Sequence, residues 1–133
     1  MLDKIVEKTK ERVSETKKVN SLDRLKYKIL NIDVKFNYPF KKALSSDDIA
    51  IIAEVKKASP SKGLIAENFD YVSIAKEYEA AGASAISVLT EPYFFQGSDD
   101  YLKEIVKNVK IPVLRKDFVV DEYMIYEAKL LGA

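Results

Sequence analysis

The chain has 133 residues, enough for one domain with a sizeable core, and its 47% hydrophobic and 32% charged composition suits a globular protein. Its 22 Lys and Arg against 21 Asp and Glu leave a formal charge of +1, which gives no electrostatic reason to expect nucleic acid or a membrane as the main partner. There is no Cys and no His, so disulfides, thiol catalysis, Ser-His-Asp triads and His-based metal sites are excluded, and acid–base chemistry falls to Glu, Asp, Lys or Tyr.

The amino terminus is charged throughout and has no apolar stretch of the signal-peptide kind, and no segment is apolar for long enough to span a bilayer, so the cytoplasm is the expected compartment. Within residues 2–18, Leu2, Ile5, Val6 and Val13 form a thin helical stripe among Lys and Glu. This segment reads either as a helix lying against the main domain or as a solvated arm. Asn20 and Ser21 are candidate N-caps for a second short helix carrying Leu22, Leu25 and Ile29, which Asn37-Tyr38-Pro39-Phe40 interrupts. Residues 1–48 are thus expected to be a helical extension, and residues 49–133 the main domain.

From Ile49 the pattern alternates between strand and helix. A strand over about 49–56 begins with the apolar run Ile49–Ala53, of the kind a parallel sheet buries on both faces. Ser59, Pro60, Ser61 and Gly63 close it with turn chemistry. A helix near 70–82 carries Tyr71, Ile74, Ala75, Tyr78 and Ala81 on one stripe, and Gly82 ends it. A second strand, 85–89, leads into a loop from Glu91 to Gly97 that contains Tyr93, Phe94 and Phe95. Asp99 and Asp100 open the next helix, where they suit the positive end of its dipole, and Leu102, Ile105, Val106 and Val109 form its stripe. A third strand, 111–116, precedes a last helix capped by Asp121 and bearing Met124, Ala128 and Leu131. Three β/α units in series require parallel pairing through crossovers, which makes the fold α/β. Ala80-Ala81-Gly82-Ala83 leads directly into the second strand, and Leu130-Leu131-Gly132-Ala133 has the same form, so the pattern expects a fourth strand next.

The chemistry-bearing residues stand where apolar strands end. Glu54 and Lys56 are two apart, so they project from one face, about 6.6 Å apart along the strand. An unpaired charge is costly in a core, and a run of apolar residues followed by two charges and a Ser-Pro-Ser loop is how α/β enzymes end a strand at an active site. The plainer alternative is a solvated ion pair. Lys116 repeats the arrangement on the third strand, sharing a face with Leu114 and Phe118 while Val113, Arg115 and Asp117 share the other. A Lys at a buried strand end can have its pKa lowered and so serve as a general acid. Tyr93, Phe94 and Phe95 could stack on an aromatic substrate or simply cover the fold. Ser59 and Ser61 could bind an anion or simply shape a turn, and no Gly-rich phosphate loop is present.

These residues resemble a known family. Ile51-Ile52-Ala53-Glu54-Val55-Lys56-Lys57-Ala58-Ser59-Pro60-Ser61-Lys62-Gly63 is similar to the signature strand and loop of indole-3-glycerol phosphate synthase. Ser87-Val88-Leu89-Thr90-Glu91 with Phe94-Phe95-Gln96-Gly97, and Pro112-Val113-Leu114-Arg115-Lys116-Asp117-Phe118, resemble its second and third strands and loops. The Lys-rich amino-terminal helix is similar to the family's helical extension. The resemblance implies a (β/α)8 TIM barrel enzyme of tryptophan biosynthesis, a carboxy-lyase. It closes the pyrrole ring of 1-(2-carboxyphenylamino)-1-deoxyribulose 5-phosphate with loss of carbon dioxide and water. It implies no metal and no organic cofactor. It also implies Lys116 as the general acid at the substrate carbonyl, Glu54 as a catalytic carboxylate, and Lys56 at the substrate carboxylate. Ser59 would line the site, and Phe95 and Phe118 would pack against the anthranilate ring. The sharing of proton transfer between Lys56 and Lys116 stays open. Phosphoribosylanthranilate isomerase, another phosphate-binding barrel, is a poorer match to the Glu54–Ser61 motif and to the extension.

A complete barrel of this kind takes roughly 250 residues and eight strands. The expectation is therefore the N-terminal part of a barrel, cut after its third unit. It would lack a second catalytic glutamate, an Asn near the ring, and the phosphate-gripping loops that the family carries later. Such a chain is expected to be inactive alone. The alternative is a non-catalytic half-barrel acting only by self-association, or by complementation with a C-terminal half through exposed strand edges.

Overall fold

A computed structural model describes residues 1–33 and 37–133. By contacts the chain divides into two compact units. The first holds α1 (Leu2–Val19), α2 (Leu22–Leu30) and a later helix, α6 (Glu122–Leu131). The second holds α3 (Pro39–Ala43), β1 (Ile52–Val55), β2 (Ala58–Ser59), β3 (Gly63–Leu64), α4 (Tyr71–Ala80), β4 (Ala85–Leu89), α5 (Asp99–Asn108) and β5 (Val113–Lys116).

In the first unit α1 buries Ile5, Thr9 and Val13, while Leu2 stays exposed. The Thr9 hydroxyl donates to the Ile5 carbonyl at 2.8 Å, which lets a polar residue sit in the buried stripe. Ser21 caps α2, its hydroxyl accepting from the Arg24 N–H at 3.2 Å. Asp121 caps α6 by accepting from the Tyr123 N–H at 2.8 Å. Val13, Leu25, Tyr123 and Met124 form the core of this unit. Burial raises the Tyr123 pKa, and its hydroxyl donates to the Asn20 carbonyl at 2.6 Å. Lys17 lies 2.6 Å from Asp121, and this partner, with the Tyr123 N–H, lowers the Asp121 pKa.

The second unit is built on a parallel three-stranded sheet in the order β1-β4-β5. β4 lies in the middle, and all five of its residues are buried. Apolar residues of α5, Leu102 and Ile105, are fully buried, each contributing on the order of 2 kcal/mol. Asp70 caps α4 by accepting from the Ser73 N–H at 3.0 Å, and this bond lowers its pKa. Gly82 and Gly132, just past α4 and α6, both have positive φ, at 94° and 101°, as helix-ending glycines do. Glu79 reaches from α4 to the lead of β5, accepting from the Lys110 N–H at 2.6 Å and the Ile111 N–H at 3.0 Å.

Three expectations need correction. The first strand is Ile52–Val55 rather than 49–56, and Ile49, Ile51 and Ile52 are 92%, 59% and 45% exposed rather than buried on both faces. The cause is pairing: β1 is an edge strand, and its ladder with β4 opens at Ile52 opposite Ala85. Residues 49 and 50 precede that ladder. Pro39 does not only interrupt; it opens the short helix α3, as its fixed φ allows at the first helical position. The turn residues after Lys56 form more than a turn, since Ala58–Ser59 pairs antiparallel with Gly63–Leu64 in a small hairpin.

Candidate active site

The candidate residues of the sheet share one of its faces. The β1–β4–β5 register sets Glu54 opposite Ser87 and Ser87 opposite Leu114, and it sets Leu89 opposite Lys116. Paired residues of parallel strands point the same way, and so do residues two apart. Glu54, Lys56, Ser87, Leu89, Leu114 and Lys116 therefore share one face. The other face carries the buried Val55, Ile86, Val88, Val113 and Arg115. Arg115 pairs with Asp99 at 2.9 Å, which compensates its burial.

Glu54 and Lys56 are in direct contact, Lys56 Nζ lying 3.3 Å from Glu54 Oε1. Their side chains are 35% and 34% exposed, so the pair is neither sealed in the core nor fully solvated. The Ser87 hydroxyl donates to the other carboxylate oxygen, Glu54 Oε2, at 3.3 Å. The Tyr78 hydroxyl donates to the Glu54 backbone carbonyl at 3.1 Å, tying α4 to the strand end. Lys116 lies on the same face, two strands and roughly 10 Å away. It is exposed, not buried as its strand-end position suggests, because β5 is the other edge of the sheet. A carboxylate held between a cation and a hydroxyl, on the same sheet face as a second cation, can grip an anionic substrate and move protons on it.

Ser59 is buried in the hairpin, and its hydroxyl accepts from the Lys62 N–H at 3.2 Å. Phe95 is half-buried in the loop after β4. Phe118 is half-buried at the start of the segment that groups with the first unit. Among the described residues no group of three or more Asp or Glu is gathered as metal ligands would be. No described helix is long and apolar enough to cross a membrane.

Sequence reasoning missed the polar residues that follow β4. Thr90 is 1% exposed, and its hydroxyl donates to Asp117 Oδ2 at 2.8 Å. Its N–H donates to the Lys116 carbonyl at 3.0 Å. Glu91 has no exposed surface. Its carboxylate accepts from the N–H groups of Tyr93, Phe94 and Phe95 at 3.0, 2.7 and 3.1 Å. A signal was present: Glu91, like Glu54, is a charge that follows a mostly apolar run of residues.

Comparison with known proteins agrees with this arrangement. A family model described as indole-3-glycerol phosphate synthase matches residues 2–133. The chain is 57% identical over 133 residues to the indole-3-glycerol phosphate synthase of Ruminiclostridium cellulolyticum, covering all of this chain and 51% of that protein. The indole-3-glycerol phosphate synthase of Endomicrobium trichonymphae is also 57% identical over the whole chain, which covers 52% of it. That of Thermoanaerobacter pseudethanolicus is 51% identical, with 50% of it covered. The chain spans about half the length of these curated relatives. Its three-stranded parallel sheet with interleaved helices is consistent with the N-terminal part of a (β/α)8 barrel. The chain belongs to the indole-3-glycerol phosphate synthase family.

Proposed function

We propose that this chain supplies the first three β/α units of an indole-3-glycerol phosphate synthase, behind a helical extension formed by residues 1–48. The enzyme is a carboxy-lyase of tryptophan biosynthesis, works in the cytoplasm and uses no metal or organic cofactor. Its substrate is 1-(2-carboxyphenylamino)-1-deoxyribulose 5-phosphate. What carries the reading is the shared face of Glu54, Lys56 and Lys116 at the carboxyl ends of parallel strands, in a chain whose full length matches the family.

Lys116 donates a proton to the substrate carbonyl oxygen as the aromatic carbon attacks, so that charge does not build on that oxygen. Lys56 holds the substrate carboxylate until it leaves as carbon dioxide. Glu54, kept in place by Lys56 and Ser87, takes or returns a proton in the dehydration that yields the indole ring. Ser59 and Phe95 line the pocket, the Phe95 ring packing on the anthranilate ring. The relatives are about twice as long, and the second glutamate and phosphate-gripping loops that the resemblance implies would lie in the length this chain does not cover. A polypeptide of these 133 residues alone is therefore expected to show at most trace turnover. Indole fluorescence measured on the full-length protein and on the 133-residue polypeptide tests this. Turnover confined to the full-length protein is expected. Its absence there would overturn the synthase reading, and equal rates would overturn the division of the site.

One observation favours a second, non-catalytic property of the isolated polypeptide. Among the described residues β1 and β5 are open sheet edges, and Ile51, Ile52 and Leu114 are exposed. Unpaired edges beside apolar side chains favour pairing with another chain, so self-association accompanies the missing activity.

A further inference from the structure

We propose that Glu91 is a positioning residue that acts through Phe95, fixing the aromatic ring against which the substrate's anthranilate ring packs. The proposal rests on the synthase reading and adds to it a residue with no part in the chemistry. Glu91 stands two residues past the central strand, whose last paired residue, Leu89, lies opposite Lys116 of β5. Its carboxylate is fully buried, which would be costly for a lone charge. Three backbone N–H groups compensate it: Tyr93 donates to Oε1, and Phe94 and Phe95 both donate to Oε2. The loop is thus wound around the carboxylate and not laid over an apolar surface. The Gly97 N–H closes the same loop onto the Glu91 carbonyl at 2.8 Å. Hydrogen bonds to an ionised acceptor are about twice as strong as neutral ones, so this anchor is stiff where the loop meets Phe95. A glutamine would offer one carbonyl oxygen and an NH2 group whose hydrogens oppose the donors of the loop.

The test is a double-mutant cycle on the full-length protein with Glu91→Gln and Phe95→Leu, read in indole formation. Alone, Glu91→Gln is expected to raise KM about tenfold. Its kcat is expected to stay within about twofold, because Lys116 and Glu54 are untouched. In the Phe95→Leu background the same substitution is expected to leave KM almost unmoved, since the ring it positions is gone. A purely structural role for Glu91 would instead lower the active fraction, hence kcat, equally in both backgrounds. That result, or additive effects on KM, would overturn the proposal. Should Glu91→Gln not yield folded protein, Glu91→Asp takes its place, keeping the charge but withdrawing it by one methylene, and the same coupling is expected. Absence of turnover in the unsubstituted protein would overturn the synthase reading and this proposal together. Normal turnover with no coupling would overturn this proposal alone.

Discussion

Gly97 shows how tightly the loop after β4 is held. A Cβ built there would lie 2.5 Å from the Leu89 carbonyl oxygen, 2.6 Å from the Thr90 carbonyl carbon and 2.8 Å from the Glu91 nitrogen. All three are backbone atoms of the central strand end, so none can swing aside. The preceding Gln96 already sits at a φ of 50°. Gly97→Ala should therefore displace the loop and destabilise the second unit by about 2 kcal/mol or more. Urea unfolding of the variant would show a lower midpoint, and an unchanged midpoint would contradict this close approach. At this scale the residues that act through their neighbours two positions along were legible. Glu54 and Lys56 fall on one face from strand period alone, and they do pair. Glu91 was not legible as an anchor, because its partners are backbone amides of its own loop, which carry no residue-type signature. Ser87 was hidden for a different reason: its donation to Glu54 depends on the β1–β4 register.

Among the elements, β4 was the most legible. A central strand buried on both faces reads as a short, mostly apolar run, here broken only by Ser87, and the expected span coincides with Ala85–Leu89. The edge strands were overestimated because an apolar run says nothing about where its partner begins. β5 starts at Val113, after Pro112, which has no N–H and contributes its carbonyl to Ile86 at 3.0 Å. The contact between Glu79 of α4 and the lead of β5 joins residues 31 and 32 positions apart, which local pattern cannot show. It has a pH signature. The Ile111 N–H, then that of Lys110, hold the Glu79 carboxyl below its ordinary value of 4.5. As pH falls below 4.5 the unfolded chain takes up this proton before the folded one does, so the stabilisation fades with acidification. The stability difference between the protein and Glu79→Gln should accordingly be full near neutrality and shrink as pH falls below 4.5. Denaturant unfolding of both proteins over that range checks this, and a difference independent of pH would contradict it.

On the scale of the whole molecule, three strand–helix repeats were enough to read a parallel α/β architecture, and the family match bears out that reading. The grouping of α6 with α1 and α2 was not legible, since it depends on contacts such as Tyr123 with Asn20, 103 residues apart. The open edges of the sheet carry a prediction at this scale. In sedimentation velocity at micromolar concentration, the 133-residue polypeptide should run larger than a monomer, and Ile52→Lys on the β1 edge should reduce that association. A monomer of the unsubstituted polypeptide would count against it.

The central claim is that the sheet face shared by Glu54, Lys56 and Lys116 is the catalytic face of a synthase. Its most direct test is single-turnover indole formation by the full-length protein carrying Lys116→Ala. Loss of the proton donor should lower the rate by a factor of about a hundred or more while the substrate still binds. Ring closure at an unchanged rate would contradict the account.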